Sequence, residues 1–253
     1  LARTLTGIFL QAWQQLTGIN FIFYYGTTFF QSALPKSDPF VFTIISNVVN
    51  VVSTVPGMWG MERFGRRPLL FYGALWMTVC EYVVAIIGTT RPSSDQAAGR
   101  SLVAFVCLYI AAFASTWGPG AWVVCGEIFP LAIRAKSLSL CVASNWLWNF
   151  AIGYATPYLV QKGHGYAGLG TKVFFIWGST CFLASIFAYF TIYETKGLAL
   201  EEVDELYAAV GALQSTAANK EIQLRRNALE AEVIQQELER GEMKGEDLKL
   251  ETA

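Results

Sequence analysis

Charge is what this sequence has least of. Only 15% of its 253 residues are Asp, Glu, Lys or Arg, against roughly a quarter in an ordinary soluble domain. The formal net charge is −1 and no dense basic run occurs, which excludes a nucleic-acid partner. There is one histidine, His164, set in a glycine-rich loop and read as a solvated residue. The chain has no H-E-x-x-H, no nucleophile elbow and no phosphate loop, so an enzyme reading has no motif to stand on and no cofactor is expected. The five cysteines, Cys80, Cys107, Cys125, Cys141 and Cys181, lie singly in apolar surroundings without C-x-x-C spacing. They read as small packing residues rather than as metal ligands or disulfide partners. No N-x-S/T sequon is present, so glycosylation gives no help with topology.

What is abundant is apolar: 54% of the residues are hydrophobic and 15% aromatic. The charges crowd after Glu194 and leave long, nearly neutral stretches before it, which implies two regions with different solvents. A helix needs about twenty predominantly apolar residues to cross the hydrocarbon. Such stretches run near 5–30, 40–60, 68–89, 101–126, 138–160 and 173–193, predicting six spans with both ends on one side. Polar punctuation at 35–39, 62–67, 91–100, 130–136 and 161–172 separates them. With loops this short, neighbouring spans are expected to pack as antiparallel pairs. The chain opens on Leu1 and its first apolar stretch lacks a signal-peptide layout, so it reads as a segment that starts mid-protein.

The loop charges divide almost evenly. Arg3, Arg63, Arg66, Arg67, Arg134 and Lys136 lie on one side, and Lys36, Arg91, Arg100, Lys162 and Lys172 on the other. The Arg63/Arg66/Arg67 cluster favours the first side as cytoplasmic. After Lys196, Val203, Leu206, Tyr207, Val210 and Leu213 recur at helical spacing among Glu201, Glu202, Asp204 and Glu205, predicting a short surface helix. From about Asn219 onward the composition fits either disorder or a loose helix.

Polar residues inside the spans are informative, because an unpaired polar group in hydrocarbon is costly and must face a partner or a watery cavity. The first span carries Gln11, Gln14, Gln15 and Asn20; the second, Asn47, Asn50, Ser53 and Thr54; the fifth, Ser144, Asn145 and Asn149. On an ideal helix Gln11, Gln14, Gln15 and Gly18 share a face, whereas Asn20 falls roughly 120 to 140 degrees from Gln14 and Gln15. A break at Gly18 would aim both groups at one cavity, as interrupted helices do in transporters. The Trp117-Gly118-Pro119-Gly120-Ala121-Trp122 run predicts a second interruption, a kink at Pro119, in the fourth span.

The inferred lining is neutral amides with Trp122, Trp146 and Trp148 nearby. Each amide offers donors and acceptors, which suits a neutral molecule with many hydroxyls, and an indole face can pack on the apolar face of a sugar ring. Helix glue and interfacial anchoring are the other uses of such residues. Glu62 and Glu127 sit at span ends near Arg63, Arg66, Arg67 and Arg134, either pairing at a gate or solvated at the interface. Glu81 lies well inside the third span, where pairing or packing is weighed ahead of proton coupling.

Taken together, Gln14-Gln15-Leu16-Thr17-Gly18-Ile19-Asn20, Glu62-Arg63-Phe64-Gly65-Arg66-Arg67, Gly118-Pro119-Gly120-Ala121-Trp122, the 127–134 segment, Ser144-Asn145-Trp146 and Glu194-Thr195-Lys196-Gly197 resemble the sugar porter family of the major facilitator superfamily, and within it the fungal hexose transporters. The resemblance covers residues 1 to about 207 in order. It implies an all-α membrane protein: six transmembrane helices at 1–195 forming the C-terminal bundle of a twelve-helix carrier, then a cytoplasmic tail at 196–253. The implied partners are a hexose, the lipid bilayer, an N-terminal bundle outside this chain and, as a candidate, protons. The implied location is the plasma membrane. By motif position Gln14, Gln15, Asn20, Asn50, Trp122, Asn145 and Trp146 take the sugar-binding positions. Glu62, Arg63, Arg66, Arg67, Glu127 and Arg134 take those of the inner-gate charge network. One departure is Tyr193 where the family has proline before Glu-Thr-Lys-Gly. The competing readings are a transporter-like sugar sensor signalling through its tail and a half-length partner subunit. The identity of the hexose and the mode of energy coupling lie outside what these residues specify.

Overall fold

The computed structural model describes residues 1–33, 38–91, 95–161, 163 and 165–239. Among the described residues the chain is helical, with no strand. The first span is two helices, α1 (Ala2–Leu16) and α2 (Ile19–Ala33). The second and third are single helices, α3 (Pro39–Phe64) and α4 (Arg66–Thr90). The fourth is again divided, into α5 (Gln96–Ser115) and α6 (Trp117–Glu127). The fifth is α7 (Arg134–Val160) and the sixth α8 (Val173–Thr191), entered through a 3₁₀ turn at Gly170–Lys172. Two further helices follow, α9 (Leu200–Ala209) and α10 (Ser215–Glu239). His164 and the tail from residue 240 lie outside the described residues.

Local chemistry sets several of these ends. Asp38 and Asp95 cap α3 and α5, their carboxylates accepting from the N–H groups of Phe40 and of Ala97 and Ala98. Gly65 alone separates α3 from α4, at φ +96°, a conformation an L side chain rarely adopts. Four helices are long and apolar enough to cross a membrane: Phe40–Phe64, Arg66–Thr90, Gln96–Glu127 and Gly170–Thr191. The first span falls outside that description because it is cut into two 15-residue pieces, and α7 because Ser144, Asn145 and Asn149 make it more polar.

Packing does not follow chain order. The extensive pairings are α4 with α8, α1 with α7, α4 with α5 and α3 with α5. Of the consecutive spans only α4 and α5 form a close antiparallel pair. The short loops fix where helices meet at a membrane face, but small residues decide which helices lie close along their length. A Cβ on Gly57 would strike the backbone of Ser115, and one on Gly73 the side chain of Thr116, so α3 and α4 both approach the α5–α6 junction closely. The buried interior gathers Leu10, Met77, Tyr109, Trp117, Phe129 and Phe174. The outward faces of α3 and α7 are apolar and exposed, including Ile44, Val51 and Val55 on α3 and Leu147 and Phe150 on α7. Faces of this kind are suited to lipid or to a second bundle rather than to water.

The segment after α8 is not independent of the bundle. Arg3, at the start of α1, pairs with Asp204 and stacks its guanidinium on Tyr207, whose ring lies 3.8 Å from that of Tyr193. Tyr193 therefore has a packing role where the family carries proline, and its hydroxyl donates to the Val210 carbonyl. Burial, with Tyr193 beside it, pushes the Tyr207 phenol above its ordinary range, against the opposing effect of Arg3. Between a loose helix and disorder, residues 215–239 adopt helix. Asn219 Nδ2 donates to the carbonyls of Glu194 and Lys196, and Gln223 Nε2 to that of Lys196.

Candidate functional site

The break expected in the first span is present. Gly18 stands at φ +84° between α1 and α2, with Trp177 packed where a Cβ would be. In an unbroken helix the Phe21 N–H would bond the Thr17 carbonyl; here it donates to Gly18 O at 3.0 Å. The freed Thr17 carbonyl accepts from Tyr109 Oη at 2.8 Å and Cys181 Sγ at 3.7 Å. The second interruption falls at Thr116, three residues before the expected kink at Pro119. Proline lacks the N–H that would bond the residue four earlier, here Ser115, so the helix fails ahead of the proline itself. Pro119 sits in the first turn of α6, where no N–H is required.

The two interruptions meet at one set of amides. Asn145, from α7, accepts from Gln15 Nε2 at 2.7 Å and donates through Nδ2 to Gln11 Oε1 at 2.6 Å and Gln14 Oε1 at 2.8 Å. Gln14 Nε2 donates to the carbonyls of Trp117 and Gly118, each at 2.9 Å, in the first turn of α6 just after the break. Asn20, beyond Gly18, donates to Gln15 Oε1. All three α1 glutamines and Asn145 are buried. The result is a neutral lattice in which Gln11, Gln14, Gln15 and Asn145 each both donate and accept, and Asn20 donates. A polyhydroxylated ligand can exchange into it hydroxyl for amide without placing a charge in a dry site.

Of the seven positions assigned to sugar binding, Gln14, Gln15, Asn20 and Asn145 are therefore brought together. Asn50 is half-buried on α3 and its side chain makes no hydrogen bond to this lattice. Trp122 and Trp146 are exposed, at 42% and 64%. Trp146 follows Asn145 by one residue, a turn of about 100 degrees, which carries it off the buried face of α7. Gln11 belongs to the lattice although motif position did not select it; its signal was the helical face shared with Gln14 and Gln15. Ser144 donates to the Ile8 carbonyl, and Asn149 accepts from Tyr24.

At one end of the bundle lies an ionic cluster. Arg66 donates to both oxygens of Glu127, through Nη2 at 2.7 Å and through Nε at 3.1 and 3.2 Å. Glu127 also accepts from Thr195 Oγ1 at 2.6 Å. Glu194 accepts from the backbone N–H groups of Arg66, Arg67 and Lys196. It sits against Gly65 at the N-terminus of α4, where a side chain would exclude it and where the helix dipole favours an anion. Arg67 binds the Tyr189 carbonyl and lies over the Tyr189 ring. Arg134 bonds the Gly126 carbonyl rather than Glu127. Glu62 and Arg63 are exposed, and among the described residues neither side chain joins an ion pair, because both project from the outer face of the last turn of α3. Glu194 and Thr195 join Arg66 and Glu127 in this cluster, where the resemblance had placed Glu62 and Arg63.

Comparison with known proteins is consistent across sequence and structure. Residues 1–207 match the model of the family described as "Sugar (and other) transporter". The chain is 52% identical over 225 residues to the major facilitator-type transporter ecdD of Aspergillus rugulosus, covering 85% of this chain and 41% of that protein. It is 46% identical to the probable glucose transporter rco-3 of Neurospora crassa (82% and 36% covered) and 44% identical to the high glucose sensor RGT2 of Saccharomyces cerevisiae (89% and 29%). Among solved structures it is similar to XylE, known from E. coli. The proton:xylose symporter XylE bound to 6-bromo-6-deoxy-D-glucose gives a TM-score of 0.69 at 34% identity, over 81% of this chain and 42% of the other. The chain thus spans less than half the length of the relatives it matches. A helical bundle with four helices long and apolar enough to cross a membrane, interrupted helices and a matching family model over four-fifths of its length lead to one conclusion: this chain is a multi-pass membrane protein of the sugar transporter family, within the major facilitator superfamily.

Proposed function

We propose that this chain is the C-terminal bundle of a hexose carrier that works by alternating access at the plasma membrane, with residues 196–253 forming a cytoplasmic tail. The observation that carries the proposal is the amide lattice: Asn145 bonded to three glutamines of α1, at the point where two interrupted helices meet. Neutral, two-way hydrogen-bonding groups match sugar hydroxyls, and an interrupted helix can change its angle without unfolding the span. In this reading Gln14, Gln15, Asn20 and Asn145 contact the sugar directly. Asn50, Trp122 and Trp146 face it from the open side of the cavity, which an N-terminal bundle closes. Arg66, Glu127 and Arg134 lock the cytoplasmic end in one state and release it in the other, with Arg67 tying α4 to α8, and Glu62 and Arg63 lying at the mouth of the gate. The similarity to a solved proton:xylose symporter supports protons as a second partner.

A sensor is the second reading, favoured by 44% identity to a glucose sensor and by a tail helix docked directly on the 194–196 backbone. Labelled-glucose uptake separates the two, in yeast lacking its own hexose carriers and expressing the full-length gene product at matched surface levels. Uptake by wild type and its loss in Gln15→Ala supports the carrier. Absence of uptake, with protein at the membrane and glucose still bound, supports the sensor.

A further inference from the structure

We propose that Glu81 is a reversible proton-binding site behind the break in the first span, and that its ionisation competes for the donors that hold that break together. The functional consequence rests on the carrier reading; the proton site itself does not.

Glu81 lies in the middle of α4, 1% exposed, and neither carboxyl oxygen has a hydrogen-bond partner. Of the pairing and packing roles weighed for it, no ionic partner is found among the described residues. The titratable groups beside it are Cys181 from α8, Tyr109 from α5 and Cys80 from its own helix. Other charges on neighbouring elements lie far along the helix axes. Glu62, Arg63 and Glu127 are at the Arg66 end of α4, about 22 Å away by helical rise. Lys172 lies beyond Gly88, about 10 Å away, and Arg100 is about 13 Å along α5 from Tyr109. Among the described residues no cation is placed to neutralise a carboxylate here, so the position is stable with a proton on it and costly without one.

The neighbours give that proton a mechanical meaning. Tyr109 and Cys181 each have a single donor hydrogen, and both are committed to the Thr17 carbonyl orphaned by the break. A neutral Glu81 can donate to the lone pairs of the phenol or thiol and leave those hydrogens in place. An ionised Glu81 is acceptor-only and has to draw a hydrogen from one of them, its own proton having passed to water. Thr17 would then lose a donor at a position flanked by Gln14, Gln15 and Asn20. The indole N–H of Trp177, whose ring packs on Gly18, is also buried without an acceptor, so the region holds an unused donor and unused acceptors together.

Two readouts on the full-length gene product test this. The infrared spectrum of wild type should contain a carboxylic-acid C=O band that titrates, disappears in Glu81→Gln and shifts in Glu81→Asp. The KM for glucose uptake should rise roughly three- to tenfold as Glu81 ionises, the effect of one lost hydrogen bond. It should stay flat with pH in Glu81→Gln, and rise more steeply than wild type in Cys181→Ala, where Tyr109 is the last donor. Absence of a band sensitive to residue 81 would overturn the proton site. Identical KM profiles in wild type and Glu81→Gln, or in wild type and Cys181→Ala should Glu81→Gln not fold, would overturn the competition. A wild type that moves no hexose at any pH would defeat the carrier reading alone, and the infrared band would still decide the site.

Discussion

The amide lattice between α1 and α7 and the ionic cluster around Arg66 both join separate helices, with opposite chemistry. The first is uncharged, buried and built from residues that both donate and accept. The second is charged, half-buried and confined to the end of the bundle where water is near. In a dry interior an ion pair broken during a conformational change leaves uncompensated charge, which is strongly destabilising. Amides separated there can re-pair with a ligand's hydroxyls instead. Near water the ion pair can open at modest cost and still set which state is preferred. Substitutions in the two regions should therefore fail differently.

The largest effect is expected from Asn145→Ala. It removes three hydrogen bonds at once and leaves glutamine donors and acceptors buried without partners, so glucose KM should rise by at least about tenfold. Uptake at matched surface expression measures it. Gly18→Ala comes next, because alanine at φ +84° is strained by about 1 kcal/mol or more and its Cβ meets the Trp177 ring. The purified protein should melt several degrees lower, in a thermal-shift assay, than a Gly26→Ala control, where a Cβ meets only ordinary contacts.

Glu127→Gln should sharpen the contrast: it weakens the Arg66 pair without touching the lattice. A change of up to about fivefold in maximal uptake with KM nearly unchanged is expected, and a parallel change in KM would erase the distinction between gate and site. The smallest effect is that of Asn219→Ala, which removes two tail contacts worth about 1 kcal/mol each. Hydrogen exchange should quicken over the first turns of α10 while uptake stays within about twofold.

Much of this was legible in the sequence because the membrane enforces simple rules. Six apolar stretches became helical, four of them long and apolar enough to cross a membrane, and the shared face of Gln11, Gln14 and Gln15 with Asn20 off that face required a break where Gly18 stands. The second break was displaced to Thr116 because proline acts on the acceptor four residues earlier, so the residue that shows the defect is not the one that causes it. Which helices pair was not legible, since Gly57 and Gly73 reveal their neighbours, Ser115 and Thr116, only in three dimensions. The ionic cluster was half legible. Charge identified Arg66 and Glu127, but Glu194 acts by capping α4 through backbone N–H groups that no charge pattern displays. The docking of α10 was hidden for the same reason: Ser215, Asn219 and Gln223 recur every four residues as an unremarked polar stripe, and their partners are mostly backbone groups.

The central claim is that a hexose replaces amide-to-amide bonds in the lattice, and a cryo-electron-microscopy structure of the full-length protein with glucose bound tests it most directly. The account predicts sugar hydroxyls within hydrogen-bonding distance of Gln15 and Asn145, with the direct Gln15 to Asn145 bond lengthened or lost. Glucose bound elsewhere, with Asn145 still bonded to Gln11, Gln14 and Gln15, would contradict it.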